Sequence, residues 1–240
     1  MGLTVTVLGC SGSYPGPGGA CSGYLIGDGD TTVWVDAGSG TLANLQRLTS
    51  ADAVDAVVLT HEHPDHWTDI EGFHNILRFV TGRKGVPVFA PAGLRDRTYG
   101  PTEPWLAWTD VADGHRVTVG SLSMSFSRTD HPPETLAVRV DAGGRSVGYS
   151  SDTGPGWSLE ALGEGLDLAL CEATLPAEKK GELAHLTAGQ AGATARAAGV
   201  GQLVLTHLWP TLDAEQSRAE GAAAFGKPVE VASVGSTFHV

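Results

Sequence analysis

At 240 residues, with 41% hydrophobic and 18% charged content, the chain can bury a full core, and its composition excludes an intrinsically disordered segment. Its 27 acidic and 15 basic residues leave a net charge of −12. That argues against a partner gripped through its phosphate backbone, which draws on clustered Lys and Arg, while a small anion held by metal ions stays compatible because the ions supply the positive field.

Residues 3–8 read as a strand and lead into a Gly/Ser/Pro loop over 11–19. Strands follow at 24–27 and 31–35 around the turn Asp28-Gly29-Asp30, and a short helix fits 41–48. An apolar, β-branched run spans 54–59. Ile70, Phe73, Leu77 and Val80 recur at helical spacing and predict a helix over 70–80. Residues 86–90 form a short strand, whereas 91–113 read as irregular and aromatic. Leu122, Met124 and Phe126 alternate with serines, the pattern of a half-buried strand. Segments 135–141 and 145–149 flank Gly143-Gly144 as a hairpin. Strands are expected again at 166–170, 202–205 and 229–231. Thr187 and Gln190 have capping-box spacing before an Ala-rich helix that runs to Gly199, and a last helix fits 213–225. No linker or repeat divides the chain. The pattern predicts one α/β domain over residues 1–240, with two sheets face to face and helices outside.

Three cysteines, Cys10, Cys21 and Cys171, make no disulfide framework and suggest a reducing compartment. Val7-Leu8-Gly9-Cys10 has no basic stretch before it, no segment reaches transmembrane length, and a cytoplasmic location is expected.

The chemistry concentrates in Thr60-His61-Glu62-His63-Pro64-Asp65-His66, directly after the run over 54–59. Three histidines and an aspartate packed this closely at a strand end suit two adjacent divalent ions better than one. Neutral imidazole and carboxylate are donors that zinc prefers. A histidine-rich surface loop is the bland alternative. Further polar residues follow other predicted strands: Asp36, His131, Asp152, Glu172 and His207. Ligand sites in α/β sheets collect beyond the carboxyl ends of strands, so these placements converge on one edge.

On these motifs the chain resembles the metallo-β-lactamase-fold hydrolase superfamily over essentially its whole length. His61-Glu62-His63-Pro64-Asp65-His66 fits that family's H-x-H-x-D-H motif, with His131, Asp152 and His207 in its later metal motifs. The resemblance implies a four-layer αββα sandwich. It also implies one metal on His61, His63 and His131, a second on Asp65, His66 and His207, and Asp152 bridging them. Zinc is the first expectation, with manganese or iron as alternatives. Within the superfamily the chain is similar to the RNase Z-like phosphodiesterase branch, through Cys171-Glu172-Ala173-Thr174 and His185-Leu186-Thr187-Ala188. It departs from RNase Z in lacking a long arm between His131 and Asp152, and in carrying Ser11-Gly12-Ser13-Tyr14 where a basic loop would stand. Members acting on small cyclic phosphates share those departures.

The implied reaction is attack on phosphorus by a hydroxide shared between two ions, which lower the pKa of water from about 16 toward about 7. Asp65 would ligate and orient that nucleophile. His185, just before a helix N-terminus, would contact phosphate or protonate the leaving group, a position that also lowers a histidine pKa. Glu172 would hold the His185 tautomer. Asp36 is expected to support the metal loop. His74 is expected inside a helix, His115 in a turn and His239 on a strand surface. Trp67, Trp105, Trp108 and Trp209 could stack a base or serve the core. The leading expectation is a cyclic-nucleotide phosphodiesterase with a small anionic substrate, no nucleic-acid partner and no membrane. Its rivals are tRNA 3′ processing, hydrolysis of a lactone, thioester or β-lactam, and a non-catalytic ligand binder. Homodimerisation is implied by the resemblance alone.

Overall fold

The computed structural model describes residues 2–240. Its first half supplies β1 (Thr4–Gly9), β2 (Gly23–Gly27), β3 (Thr32–Val35), β4 (Ala56–Val58), β5 (Val86–Ala90) and β6 (Leu106–Asp110). The second supplies β7 (Arg116–Val119), β8 (Leu122–Arg128), β9 (Leu136–Ala142), β10 (Arg145–Tyr149), β11 (Leu168–Glu172), β12 (Gln202–Thr206) and β13 (Val229–Val231), before β14 (Thr237–His239) returns to the first sheet. Two seven-stranded sheets result, in the orders β14-β1-β2-β3-β4-β5-β6 and β13-β12-β11-β10-β9-β8-β7. Strands β3 to β6 run parallel, as do β10 to β13.

Alternation along the strands sends one set of side chains between the sheets. Val5, Val7, Tyr24, Val33 and Val35 meet Met124, Phe126, Val138, Val147 and Leu170 there. The other set faces helices. The chain passes through α1 (Thr41–Leu48), a single turn α2 (Pro64–Trp67) and α3 (Ile70–Ile76). Leu45, Ile70 and Phe73 of α1 and α3 cover Trp34, Val57 and Val88. Helices α4 (Ala188–Ala197) and α5 (Ala214–Phe225) cover Ala169, Cys171, Leu203 and Leu205 through Ala191, Ala195 and Phe225. Every residue of β11 is buried, as a parallel strand covered on both faces requires. The layers are therefore helix, sheet, sheet, helix, as expected from the sequence. Among the described residues no helix is long and apolar enough to cross a membrane.

Two segments differ from expectation. The stretch 91–113 contains a regular strand, β6, paired with β5 over five residues. Leu106 is its one fully buried residue, so this edge strand carries no apolar run to betray it. The helix expected over 70–80 is α-helical to Ile76 and continues as a π-helical turn, Leu77–Thr81. Leu77 stays in the core, but the widened turn rotates Val80 off the buried stripe and leaves it 77% exposed. The capping box of α4 is formed as its spacing indicates, with Gln190 N–H donating to Thr187 Oγ1 and Thr187 N–H to Gln190 Oε1 at 3.0 Å.

Candidate metal centre

Six strand ends deliver the polar residues to one place. After β4 the chain runs through buried Leu59, Thr60 and His61. Pro64 then opens α2 with its φ already helical. His61 and His63 stand on the run-in, and Asp65 and His66 on the first turn. Asp36 follows β3, His131 follows β8, Asp152 follows β10, Glu172 ends β11 and His207 follows β12.

The donor atoms form two adjoining groups. In the first, His63 Nδ1 lies 3.1 Å from His61 Nε2 and 3.2 Å from His131 Nε2. Asp152 Oδ2 faces them, 3.6 Å from His61 Nε2 and 3.8 Å from His131 Nε2. In the second, His207 Nε2 is 3.2 Å from both His66 Nε2 and Asp65 Oδ2. Asp152 Oδ1 faces this group, 3.3 Å from each of His66 Nε2 and His207 Nε2. Ligating atoms of His61, His63, His131 and Asp152 lie within 4.8 Å of one another, and the same holds for Asp65, His66 and His207 and for Asp152, His185 and His207.

Asp152 Oδ1 is buried without a hydrogen-bond partner among the described residues. A buried carboxylate oxygen without a hydrogen bond is costly, and a cation within reach of these atoms lowers that cost. Imidazole and carboxylate donors in this arrangement fit a divalent metal of the zinc, manganese or iron type.

A surrounding set of hydrogen bonds fixes the rings of His61, His66, His131 and His207. Asp36 accepts from His66 Nδ1 at 2.7 Å, from Thr60 N–H at 2.9 Å, from the Thr60 hydroxyl at 3.0 Å and from the Tyr149 hydroxyl at 2.9 Å. Thr60 Oγ1 also receives the Ser151 hydroxyl at 2.7 Å and lies 3.1 Å from His61 Nδ1. His131 Nδ1 is 2.8 Å from the Ala184 carbonyl, and His207 Nδ1 is 2.8 Å from Thr174 Oγ1. With Nε2 turned to the centre, each Nδ1–H donates outward, which sets tautomer and orientation. Asp36 thus has the supporting place expected of it. Thr60 and Thr174 stand inside the motifs quoted above, but their supporting role went unread, as did that of Tyr149, Ser151 and the Ala184 carbonyl, which carry no spacing signature.

Strain collects here too. Among the described residues, the non-glycine ones with left-handed backbone are Ser13, Asp36, Ser151 and His207, at φ of 62°, 57°, 51° and 55°. All four belong to the donor set or hydrogen-bond to it or to its supporting residues. Such conformations cost about 1–3 kcal/mol each and persist where surrounding bonds over-determine them.

Electrostatics follow the same layout. Burial depresses His66, but the Asp152 and Asp36 carboxylates outweigh it and hold the imidazole well above its ordinary pKa. Burial works against ionised Asp152, yet His207, His66 and His61 keep its carboxyl well below the usual range. Asp65 is likewise lowered against burial by the hydrogen bond from His207 and by the charge of His66. Burial, then the charge of His66, pushes His61 well below its ordinary value. In metal-free protein a proton on His66 is the positive charge these carboxylates gather.

Glu172 is fully buried, accepting from Thr153 N–H at 2.8 Å, Thr174 Oγ1 at 2.7 Å and Leu186 N–H at 3.2 Å. Its Oε1 lies 2.8 Å from His185 Nδ1. A surface carboxylate is thereby excluded, and the tautomer-holding contact is present. One expectation is corrected. A helix N-terminus lowers a histidine pKa, but here burial is overcome by the Glu172 hydrogen bond and charge, which raise His185 from 6.5 to about 9. The folded value exceeds the unfolded one, so the stabilisation is full below pH 6.5 and disappears as pH rises through about 9. Urea midpoints of metal-free protein should fall across that window, and Glu172→Gln should flatten the dependence.

The remaining candidates separate cleanly. Trp67, Trp105 and Trp108 pack against the outer core of the first sheet, while Trp209 Nε1 donates to Ser13 Oγ at 3.2 Å beside Asp65. His74 is buried on α3, His115 sits in an exposed turn, and His239 is exposed on β14.

Known proteins share this architecture. The family model described as a beta-lactamase superfamily domain matches residues 31–208. An uncharacterized protein of Mycobacterium tuberculosis is 34% identical over 263 residues, covering 100% of this chain and 93% of that one. The probable metallo-hydrolase YhfI of Bacillus subtilis is 31% identical over 242 residues, covering 97% of this chain and 98% of YhfI. The YhfI crystal structure superposes with a TM-score of 0.91 at 29% identity, covering 100% of both chains. Human tRNase Z, short form, shares the fold at a TM-score of 0.78 and 20% identity, over 98% of each chain. With that fold and this cluster of donors, the chain belongs to the beta-lactamase superfamily, as a metal-dependent hydrolase related to YhfI and RNase Z.

Proposed function

We propose that this hydrolase is a dinuclear metal phosphodiesterase acting on a small cyclic phosphodiester, first a cyclic nucleotide such as 3′,5′-cyclic AMP. The observation that carries the reading is the buried Glu172 bonded to His185 Nδ1 at 2.8 Å, with a ring nitrogen of His185 within 4.8 Å of Asp152 and His207. A histidine fixed at Nδ1 presents its other nitrogen to an anionic oxygen, which suits a phosphoryl group better than an acyl group.

In this reading His61, His63 and His131 hold one ion, Asp65, His66 and His207 hold the other, and Asp152 lies between them. Bound there, divalent ions supply an acidified water at neutral pH and positive charge against the phosphoryl oxygens. The chain does the rest. Asp65, fixed by Ser13 N–H at 2.8 Å, orients the attacking water. His185 Nε2 meets a phosphoryl or leaving ribose oxygen, and Glu172 keeps the ring from turning. A single hairpin, β9–β10, joins the loop of His131 to that of Asp152, with no arm on it to grip a folded RNA. The net charge of −12 also favours a small anion over nucleic acid.

A panel decides the substrate: zinc- or manganese-loaded protein with 3′,5′-cyclic AMP, 2′,3′-cyclic nucleotides, a bis-aryl phosphate and precursor tRNA. Turnover of a cyclic nucleotide is expected. Cleavage of precursor tRNA with no cyclic-nucleotide turnover would overturn the reading. His185→Ala should lower kcat by about 10²-fold or more while metal analysis still finds two ions per chain. Loss of metal in that variant would make His185 a ligand instead.

A further inference from the structure

The rim of the centre carries an aromatic ledge that the hydrolytic residues leave unused. Trp209 stands two residues beyond His207, where the chain leaving β12 lies against the glycine-rich loop 11–19. Ser11 bridges Leu208, and Gly12 N–H donates to the Leu208 carbonyl at 2.9 Å. This approach excludes side chains: a Cβ on Gly12 would stand 2.5 Å from the His207 carbonyl oxygen, and one on Gly16 2.9 Å from Pro210 Cβ. The indole is pinned at its edge, since Trp209 Nε1 donates to Ser13 Oγ at 3.2 Å and Ser13 N–H donates to Asp65 Oδ2 at 2.8 Å. A half-buried aromatic ring is thus held in one orientation, two hydrogen bonds from a proposed metal ligand.

Over its face lies a lysine. Lys179 Nζ is 5.9 Å from the ring centroid, the outer limit of a cation–π contact. Its side chain is 47% exposed and shares Glu182 at 3.6 Å, so a flat ligand can displace it at small cost. Lys179 belongs to the segment between β11 and α4 that ends in Ala184 and His185. That segment is fastened at the centre by Ala184 O on His131 Nδ1 and by His185 Nδ1 on Glu172. The indole therefore stands at the rim beside Asp65 and His207, with the Lys179 ammonium over its face.

We propose that Trp209 is the base-recognition residue of this site, stacking the heterocyclic base of a nucleotide phosphodiester on its indole face in place of the Lys179 ammonium. The inference rests on the phosphodiesterase reading above. A purely positioning role, with the indole acting on Asp65 through Ser13, is the rival.

Three zinc-loaded proteins separate the two: unmodified chain, Trp209→Ala and Trp209→Phe, each with 3′,5′-cyclic AMP and with a base-free cyclic ribose phosphate. In Trp209→Ala the ratio of kcat/KM for the two substrates should fall about five- to a hundredfold, mainly through KM. Trp209→Phe keeps a ring face but loses the N–H, and should recover most of that ratio. Equal losses on both substrates, or a Phe variant as impaired as Ala, would overturn base stacking in favour of positioning. Quenching of indole fluorescence by adenosine 5′-monophosphate is the parallel measurement. It should be present in the unmodified chain and lost in Trp209→Phe, and its persistence there would also overturn the proposal. If neither phosphodiester is turned over by unmodified protein, the phosphodiesterase reading falls, and the quenching titration still decides the ledge.

Discussion

Replacing Asp152 by alanine is expected to lower hydrolysis about 10³-fold or more, the loss of about 4 kcal/mol of transition-state stabilisation. Metal content should drop below the two ions proposed for the unmodified chain. The reason is geometric. Asp152 is the residue with one oxygen toward each donor group: Oδ2 toward His61 and His131, Oδ1 toward His66 and His207. Removing it leaves five histidines and Asp65 with no anion between them, so each of the two proposed ions would lose a ligand and the pair would gain mutual repulsion. Asp152→Asn keeps the shape but halves the oxygen donors and should fall between. Elemental analysis of protein equilibrated in metal-buffered solution, alongside turnover at saturating metal, gives both numbers. Two ions held with unchanged affinity in the alanine variant would falsify the bridging role.

Asp36→Ala should produce the largest loss of fold stability, about 3–5 kcal/mol. Asp36 is fully buried and accepts from a histidine ring, a backbone amide and two hydroxyls. Its deletion strands every one of these donors and removes a carboxylate that holds His66 protonated in the metal-free chain. Alanine must also take over a left-handed backbone at φ 57°, which aspartate tolerates better. Urea unfolding of metal-free protein measures the loss directly, through a shift of the midpoint at constant slope. A change under 1 kcal/mol would show that the four bonds are dispensable.

The donor set was legible in the sequence because chemistry forces rare residues into short spacing. Three histidines and an aspartate within six positions have few structural excuses, and each later partner follows an apolar run whose end is easy to find. Glu172 and His185 could be paired through the resemblance of their motifs to those of RNase Z-type enzymes, Glu172 closing an apolar run and His185 preceding a capping box. The supporting residues had no comparable signal. Tyr149 closes an apolar strand and reads as core, and Thr60 reads as part of the metal loop's approach. The Ala184 carbonyl that steadies His131 has no sequence identity at all. Strand β6 escaped for a related reason: its residues after Leu106 are largely exposed, so pairing with β5 rather than burial makes it a strand. The helix over 70–80 was misread at its end, because hydrophobic spacing persists to Val80 although the π-helical turn leaves the core after Leu77.

The donor atoms come from both sheets. His61, His63, Asp65 and His66 hang from the end of β4, while His131, Asp152 and His207 hang from β8, β10 and β12. An ion held among them can bind only when the two halves of the sandwich are in register, so it acts as a rivet through the molecule as well as a reagent. Free metal at a hundred times its dissociation constant adds about 2.7 kcal/mol to the folded state, a sizeable share of the 5–15 kcal/mol typical of a domain. Without metal the chain would therefore open about a hundredfold more often, exposing it to proteolysis as well as inactivating it.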